Sequence, residues 1–154
     1  GLDHLHNNGI IHRDLHSRNI LINNGNALIT DFGISRRFNN TTASISSAGN
    51  KMIGMMAYIE PQCYIQHGIK VERKEKSDIY SLGVLLWELT SGIPPFNGYN
   101  FVALSIAISN NKREKPINGT PIDFVNLYEK CWSSNPDMRP AMNEILAKIK
   151  SLTE

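Results

Sequence analysis

Two stretches of the chain carry oxygen-bearing side chains at spacings that could do chemistry. His12-Arg13-Asp14-Leu15-His16-Ser17-Arg18-Asn19 holds a carboxylate and an amide five residues apart, and Asp31-Phe32-Gly33 follows shortly after. A carboxylate can accept a proton from a hydroxyl, and carboxylate and amide oxygens suit a hard cation such as Mg²⁺. Taken singly, Asp14 or Asp31 reads better as a surface or capping acid, so the weight rests on the combination. His4, His6, His12 and His16 share neither a ligand spacing nor a helical face. They read as solvated or packed side chains rather than as a metal cluster.

The elements that must position these residues are legible in outline. Leu2 and Leu5, three apart and followed by Gly9, read as the tail of a helix. Apolar runs at 20–22 and 27–30 flank Asn23-Asn24-Gly25-Asn26, where Asn-Gly tolerates positive φ, so a hairpin is expected between the two stretches. Residues 36–54 are rich in Ser, Thr, Asn and Gly without periodicity and read as a long mobile loop. Ser77 or Asp78 caps a helix whose body, 79–89, is apolar nearly all round and therefore belongs at the centre of the domain. Gly92 and Pro94-Pro95 end it. Asn100 caps a helix over 101–109, and Thr120-Pro121 with Asp123 starts another that runs to about Trp132. Pro140 opens a last helix with Ile145, Leu146, Ile149 and Leu152 as its apolar stripe. The fold class is mainly α with one small β-hairpin.

The 154 residues suffice for one domain with one core. Hydrophobic content of 41% and charged content of 19% are those of a soluble globular chain. A net charge of +2 gives no argument for nucleic acid or an anionic membrane as a partner. Cys63 and Cys131 stand far apart without CxxC spacing and read as free thiols, which points to a reducing, cytoplasmic setting. No apolar run approaches the ~20 residues of a membrane span, and there is no signal-peptide pattern. Trp87 and Trp132 read as core aromatics.

Two ordered signatures joined by a hairpin say more than either alone. The first matches H-R-D-L-x-x-x-N in full, the second is D-F-G, and Ser77-Asp78-Ile79-Tyr80-Ser81-Leu82-Gly83 opens the apolar helix. Here the chain resembles the C-terminal lobe of the eukaryotic protein kinase family, and the likeness continues through residues 92–96, Cys131-Trp132 and Arg139-Pro140. The resemblance implies transfer of the γ-phosphoryl group of ATP to a protein hydroxyl, with Mg²⁺ as cofactor and a protein as substrate. It assigns Asp14 to the substrate hydroxyl, Asn19 and Asp31 to Mg²⁺, and Leu21 to the floor beneath the adenine. It uses His12, Phe32 and Asp78 to tie the two loops to the central helix, Asp78 accepting from catalytic-loop amides. Arg13 would receive a phosphorylated residue of the long loop, with Ser44, Ser46 and Ser47 as the candidates.

The departures from the family pattern bear on specificity and completeness. Ser/Thr-specific members usually carry Lys two residues after the catalytic Asp, where His16 stands. Many tyrosine kinases place Arg four residues after it, as Arg18 does, and this puts Arg18 beside Asp14 among the catalytic candidates. Met55, before Tyr58, is neither the Thr nor the Pro typical of the two groups. The chain is most similar to the tyrosine-kinase-like branch, which is usually Ser/Thr-specific, and both hydroxyl classes stay open. The A-P-E motif reads Glu60-Pro61-Gln62, so Gln62 is expected to meet Arg139, and Gln62→Glu to stabilise by neutralising that guanidinium. There is no G-x-G-x-x-G, no V-A-I-K lysine, no αC glutamate and no hinge. The family places those parts in an N-terminal lobe before Gly1. Two readings follow: part of a longer kinase, inactive by itself, or a truncated, non-catalytic lobe that acts as a binding module.

Overall fold

The computed structural model describes residues 1–32, 36–37, 53–65 and 71–153. Helix α1 (Leu2–Asn7) leads through Gly9, at φ 67°, into strand β1 (Ile10–Ile11). A short 3-10 turn at Ser17–Asn19 precedes strands β2 (Ile20–Asn23) and β3 (Asn26–Ile29). These pair antiparallel with Leu21 opposite Leu28 and Ile22 opposite Ala27. Asn24 and Gly25 both take positive φ, 49° and 77°, as a two-residue turn matched to the twist of the strands requires. The expected hairpin is present.

A second pairing was not legible. Strand β4 (Arg36–Arg37) runs antiparallel to β1, with Ile10 opposite Arg37, inside what reads in sequence as loop. Two residues are too few to show a period of two, so only the tertiary pairing defines them. Helix α2 (Ile53–Met56) likewise begins inside the expected loop, and α3 (Gln62–Ile65) follows. Ser44, Ser46 and Ser47 lie outside the described residues.

Helix α4 (Glu75–Ser91) is the axis of the molecule. It starts earlier than the sequence indicates: Lys74 is the N-cap, and the Ser77 hydroxyl accepts its N–H at 3.1 Å from the third helical position. Gly92, left-handed at φ 67°, closes it. Ile79, Tyr80, Val84, Leu86 and Trp87 are buried, whereas Leu89 is 77% exposed and departs from the all-round apolar expectation. Helix α5 (Phe101–Ser109) is capped by the Asn100 side chain, which accepts from Ala103 N–H at 2.9 Å. Helix α6 (Ile122–Cys131) takes Pro121 rather than Thr120 as N-cap, one residue later than expected. It lies so close to α4 that a Cβ on Gly83 would stand 2.8 Å from both Cys131 Cβ and Trp132 N. In α7 (Met142–Thr153) Ile145 is fully buried but Leu146 is exposed, because Met142, Ile145 and Ile149 form the inward face and Leu146 lies about 100° away from Ile145. Both tryptophans are core residues, and Tyr128 meets Trp132 edge-on at 5.1 Å.

The expected Gln62–Arg139 contact is present in weak form, Arg139 Nη2 donating to Gln62 Oε1 at 3.5 Å, but the expectation that the guanidinium is otherwise uncompensated is corrected. Arg139 is buried, and its guanidinium donates to Glu60 Oε2 at 2.6 Å and to the Lys76 carbonyl at 2.7 Å. Ser77 donates to the other Glu60 oxygen. Gln62 only grazes Arg139, at 3.5 Å, and gives its amide N–H to the Ser134 carbonyl. The acid has moved two residues upstream, so the gain expected from Gln62→Glu has no uncompensated charge to act on. A one-dimensional alignment sees the vacancy at 62 and not the replacement at 60.

Candidate active site

The site begins with a buried acid at the start of α4. Asp78 has no solvent exposure, and its carboxylate accepts the N–H of His12 (Oδ2) and of Arg13 (Oδ1), each at 2.8 Å. His6 Nε2 lies 2.9 Å from Oδ2. A carboxylate in the first turn also faces the positive end of the helix dipole. The two amide bonds converge on one acid because Arg13 takes φ 72°, a region that costs a non-glycine residue about 1–3 kcal/mol. Charge-assisted hydrogen bonds of this kind offset that cost. Arg73 adds a bond to the Arg13 carbonyl at 2.8 Å. The sequence expectation that Asp78 would accept from catalytic-loop amides is met.

From this base the loop presents Asp14. Asn19, at the end of the 3-10 turn, gives its Nδ2 to the Asp14 carbonyl at 2.9 Å and to Asp14 Oδ2 at 3.3 Å. His16 Nε2 stands 3.6 Å from the same oxygen. His16 beside it holds the Asp14 carboxyl below its ordinary pKa, partly opposed by burial. The Asn19 carbonyl accepts from Thr30 N–H at 2.8 Å and from its hydroxyl at 3.2 Å, so the base of the hairpin carries Asp31 back beside the catalytic loop. Asp31 takes φ 60°. His12 completes the closure, with Nε2 3.0 Å from the Thr30 carbonyl and its ring edge-on to Phe32 at 5.4 Å. Arg18 is exposed in the middle of the turn, and Leu21 is 55% exposed on the hairpin face beside Leu28.

A second tie was invisible in sequence. Glu88, near the far end of α4, accepts from the Ser17 hydroxyl at 3.2 Å and from the Tyr58 phenol. Burial, then the Glu88 carboxylate, pushes the Tyr58 pKa well up. No local pattern marks three residues spread over seventy positions.

The donor set fits Mg²⁺. Asn19 turns its amide hydrogens to Asp14, which leaves its carbonyl oxygen for another partner. With the Asp31 carboxylate it would offer Mg²⁺ one neutral and one anionic oxygen, the remaining ligands coming from phosphates and water. Among the described residues no group of three or more His, Cys, Asp and Glu gathers as a metal site.

This fold and loop pairing are those of a protein kinase C-terminal lobe. The chain belongs to the protein tyrosine and serine/threonine kinase family, whose pattern it matches over residues 1–149. It is 36% identical over 168 residues to mitogen-activated protein kinase kinase kinase 10 of Homo sapiens, covering 100% of this chain and 16% of that protein. It is 37% identical to a mitogen-activated protein kinase kinase kinase of Drosophila melanogaster, over 99% of this chain and 13% of that one. Against a serine/threonine/tyrosine-protein kinase of Arabidopsis thaliana the identity is 33%, over 100% of this chain and 38% of the relative. The chain thus spans well under half the length of these relatives. Among the described residues no helix is long and apolar enough to cross a membrane.

Proposed function

We propose that these residues form the catalytic lobe of a protein kinase that transfers the γ-phosphoryl group of ATP to a protein hydroxyl, Ser or Thr in preference to Tyr. One observation carries the reading. The Asp78 and Asn19 contacts fix the loop with the Asp14 carboxylate one-third exposed and its Oδ2 already held. Asp14 takes the substrate proton, with Arg18 beside it in the loop. Asn19 and Asp31 hold Mg²⁺, which when bound neutralises charge on the phosphates. Leu21 lies under the adenine of ATP. An N-terminal lobe outside these residues clamps the phosphates. Arg13 receives a phosphate placed on Ser44, Ser46 or Ser47. Relatives from Dictyostelium discoideum carry serine/threonine-protein kinase in their names, which favours Ser/Thr, and two free thiols, Cys63 and Cys131, suit a cytoplasmic setting.

The test uses a two-lobed kinase completed around this chain and a protein acceptor with Mg²⁺ and ATP. Asp14→Asn should lower kcat by about 10²–10⁴ while the protein keeps a cooperative, native-like melt. A loss below about tenfold would leave Asp14 a structural acid and favour the binding-module reading. The 154 residues alone, lacking a phosphate clamp, should give only background labelling.

A further inference from the structure

The two oxygens of Asp14 are not equivalent. Two side-chain groups address Oδ2: Asn19 Nδ2 at 3.3 Å and His16 Nε2 at 3.6 Å. The His16 contact is longer than a hydrogen bond, and a shift of a few tenths of an ångström would close it, as such contacts do when a reactive complex forms. His16 is not a surface residue. Its side chain is 5% exposed, and its ring lies 6.1 Å from that of Tyr58, whose phenol is held by Glu88. Its other ring nitrogen, Nδ1, is buried without a hydrogen-bond partner. A buried polar atom left unsatisfied is costly, and here that cost accompanies the ring orientation that aims Nε2 at Asp14.

We infer that His16 is the positioning residue of Asp14. With Asn19 it occupies Oδ2, so that Oδ1 is the oxygen turned to the substrate. This rests on the kinase reading. In the transfer, the substrate oxygen bonds to the γ-phosphorus of ATP as the bond from that phosphorus to the β,γ-bridging oxygen breaks. The bonding pair leaves with ADP, and the hydroxyl proton passes to Oδ1. A lysine at this position would carry a charge on a flexible stem. The buried ring cannot swing toward a phosphate, so its effect runs through the carboxylate.

In a completed kinase, His16→Ala should lower kcat by about 10–100-fold while KM for ATP stays within about twofold. His16→Gln can present an amide N–H where Nε2 stood, and it should recover most of the loss. The double variant Asp14→Asn/His16→Ala should be no slower than Asp14→Asn alone. Losses that multiply, or a rise in KM for ATP at unchanged kcat, would overturn the assignment. The melting midpoints of the same variants in the 154-residue chain keep the two claims apart, because they need no turnover. Shifts that fail to add support the His16–Asp14 contact even where the completed kinase is inert and the kinase reading falls. Shifts that add sink the contact whatever the activity.

Discussion

At the first turn of α4, Asp78 takes the backbone amides of His12 and Arg13 in a place without solvent, whereas Glu88, ten residues on, takes the side-chain hydroxyls of Ser17 and Tyr58 at a half-exposed edge. About 15 Å of helix separates the two grips. The first fixes the main chain, including the left-handed turn at Arg13. The second fixes side-chain direction, through the Tyr58 ring that backs His16. The difference is one of replaceability. Every residue but proline offers the same amide to Asp78, so the buried grip tolerates sequence change around it. The rim grip depends on which side chains are present, and it is there that this chain departs from its family, with His16 where Lys is usual.

The largest effect should follow from breaking the buried grip. Asp78→Ala leaves two adjacent amides and the His6 ring without their acceptor, at a cost of about 3–5 kcal/mol in urea denaturation of the chain. That is a large part of an ordinary domain's stability. Asp78→Asn keeps one acceptor oxygen and should recover part of it. A loss under about 1 kcal/mol for Asp78→Ala would mean the two grips are alike, and the comparison would fail.

Next comes the frame between the grips. Gly83 sits midway along α4 against α6, and a Cβ there would meet Trp132 N at 2.8 Å, a backbone atom that cannot rotate away. Helix propensity alone would make Gly83→Ala stabilising by roughly 0.5–1 kcal/mol. Overpacking should win and destabilise by about 1–3 kcal/mol. The sign decides: a stabilised variant would show that α4 and α6 do not lock the two ends into one frame.

How much of this was legible follows from the range of each interaction. The longer helices, the Asn-Gly hairpin and the loop signatures are local, and the sequence carries them to within a few residues, whereas α2 and α3 are too short to show a period. Asp78 was legible too, because the family likeness gives it a role. Glu60 was not: its partner Arg139 lies 79 positions away, and the motif pointed to Gln62. Nor was the Glu88 tie, since a glutamate late in a helix beside an exposed Leu89 looks like any solvated residue. The orientation of His16 was likewise hidden, since no spacing rule says which nitrogen of a buried ring will face a carboxylate. Arg36–Arg37 became a strand only by meeting Ile10–Ile11.

The smallest effect tests the rim grip. Tyr58→Phe removes the donor to Glu88 but keeps the ring behind His16, and Ser17 still donates to the same carboxylate. Water can reach a half-exposed glutamate, so the loss should lie near about 0.5–1.5 kcal/mol, the range of an ordinary hydrogen bond. Its pH dependence gives a sharper test. Burial, and then the Glu88 charge, raise the Tyr58 pKa above the usual phenol value near 10. A group raised on folding contributes stability in full below its unfolded pKa and loses it as pH climbs toward the folded one. The gap between wild type and Tyr58→Phe should therefore be flat from about pH 6 to 9 and narrow above about pH 10, as the unfolded chain begins to ionise that phenol. Tyr64 and Tyr80 are raised in both proteins and cancel in the difference. A gap that stays flat above pH 10 would mean that folding does not raise the phenol, which would place it in water and dissolve the second grip, leaving Asp78 alone to hold the loop.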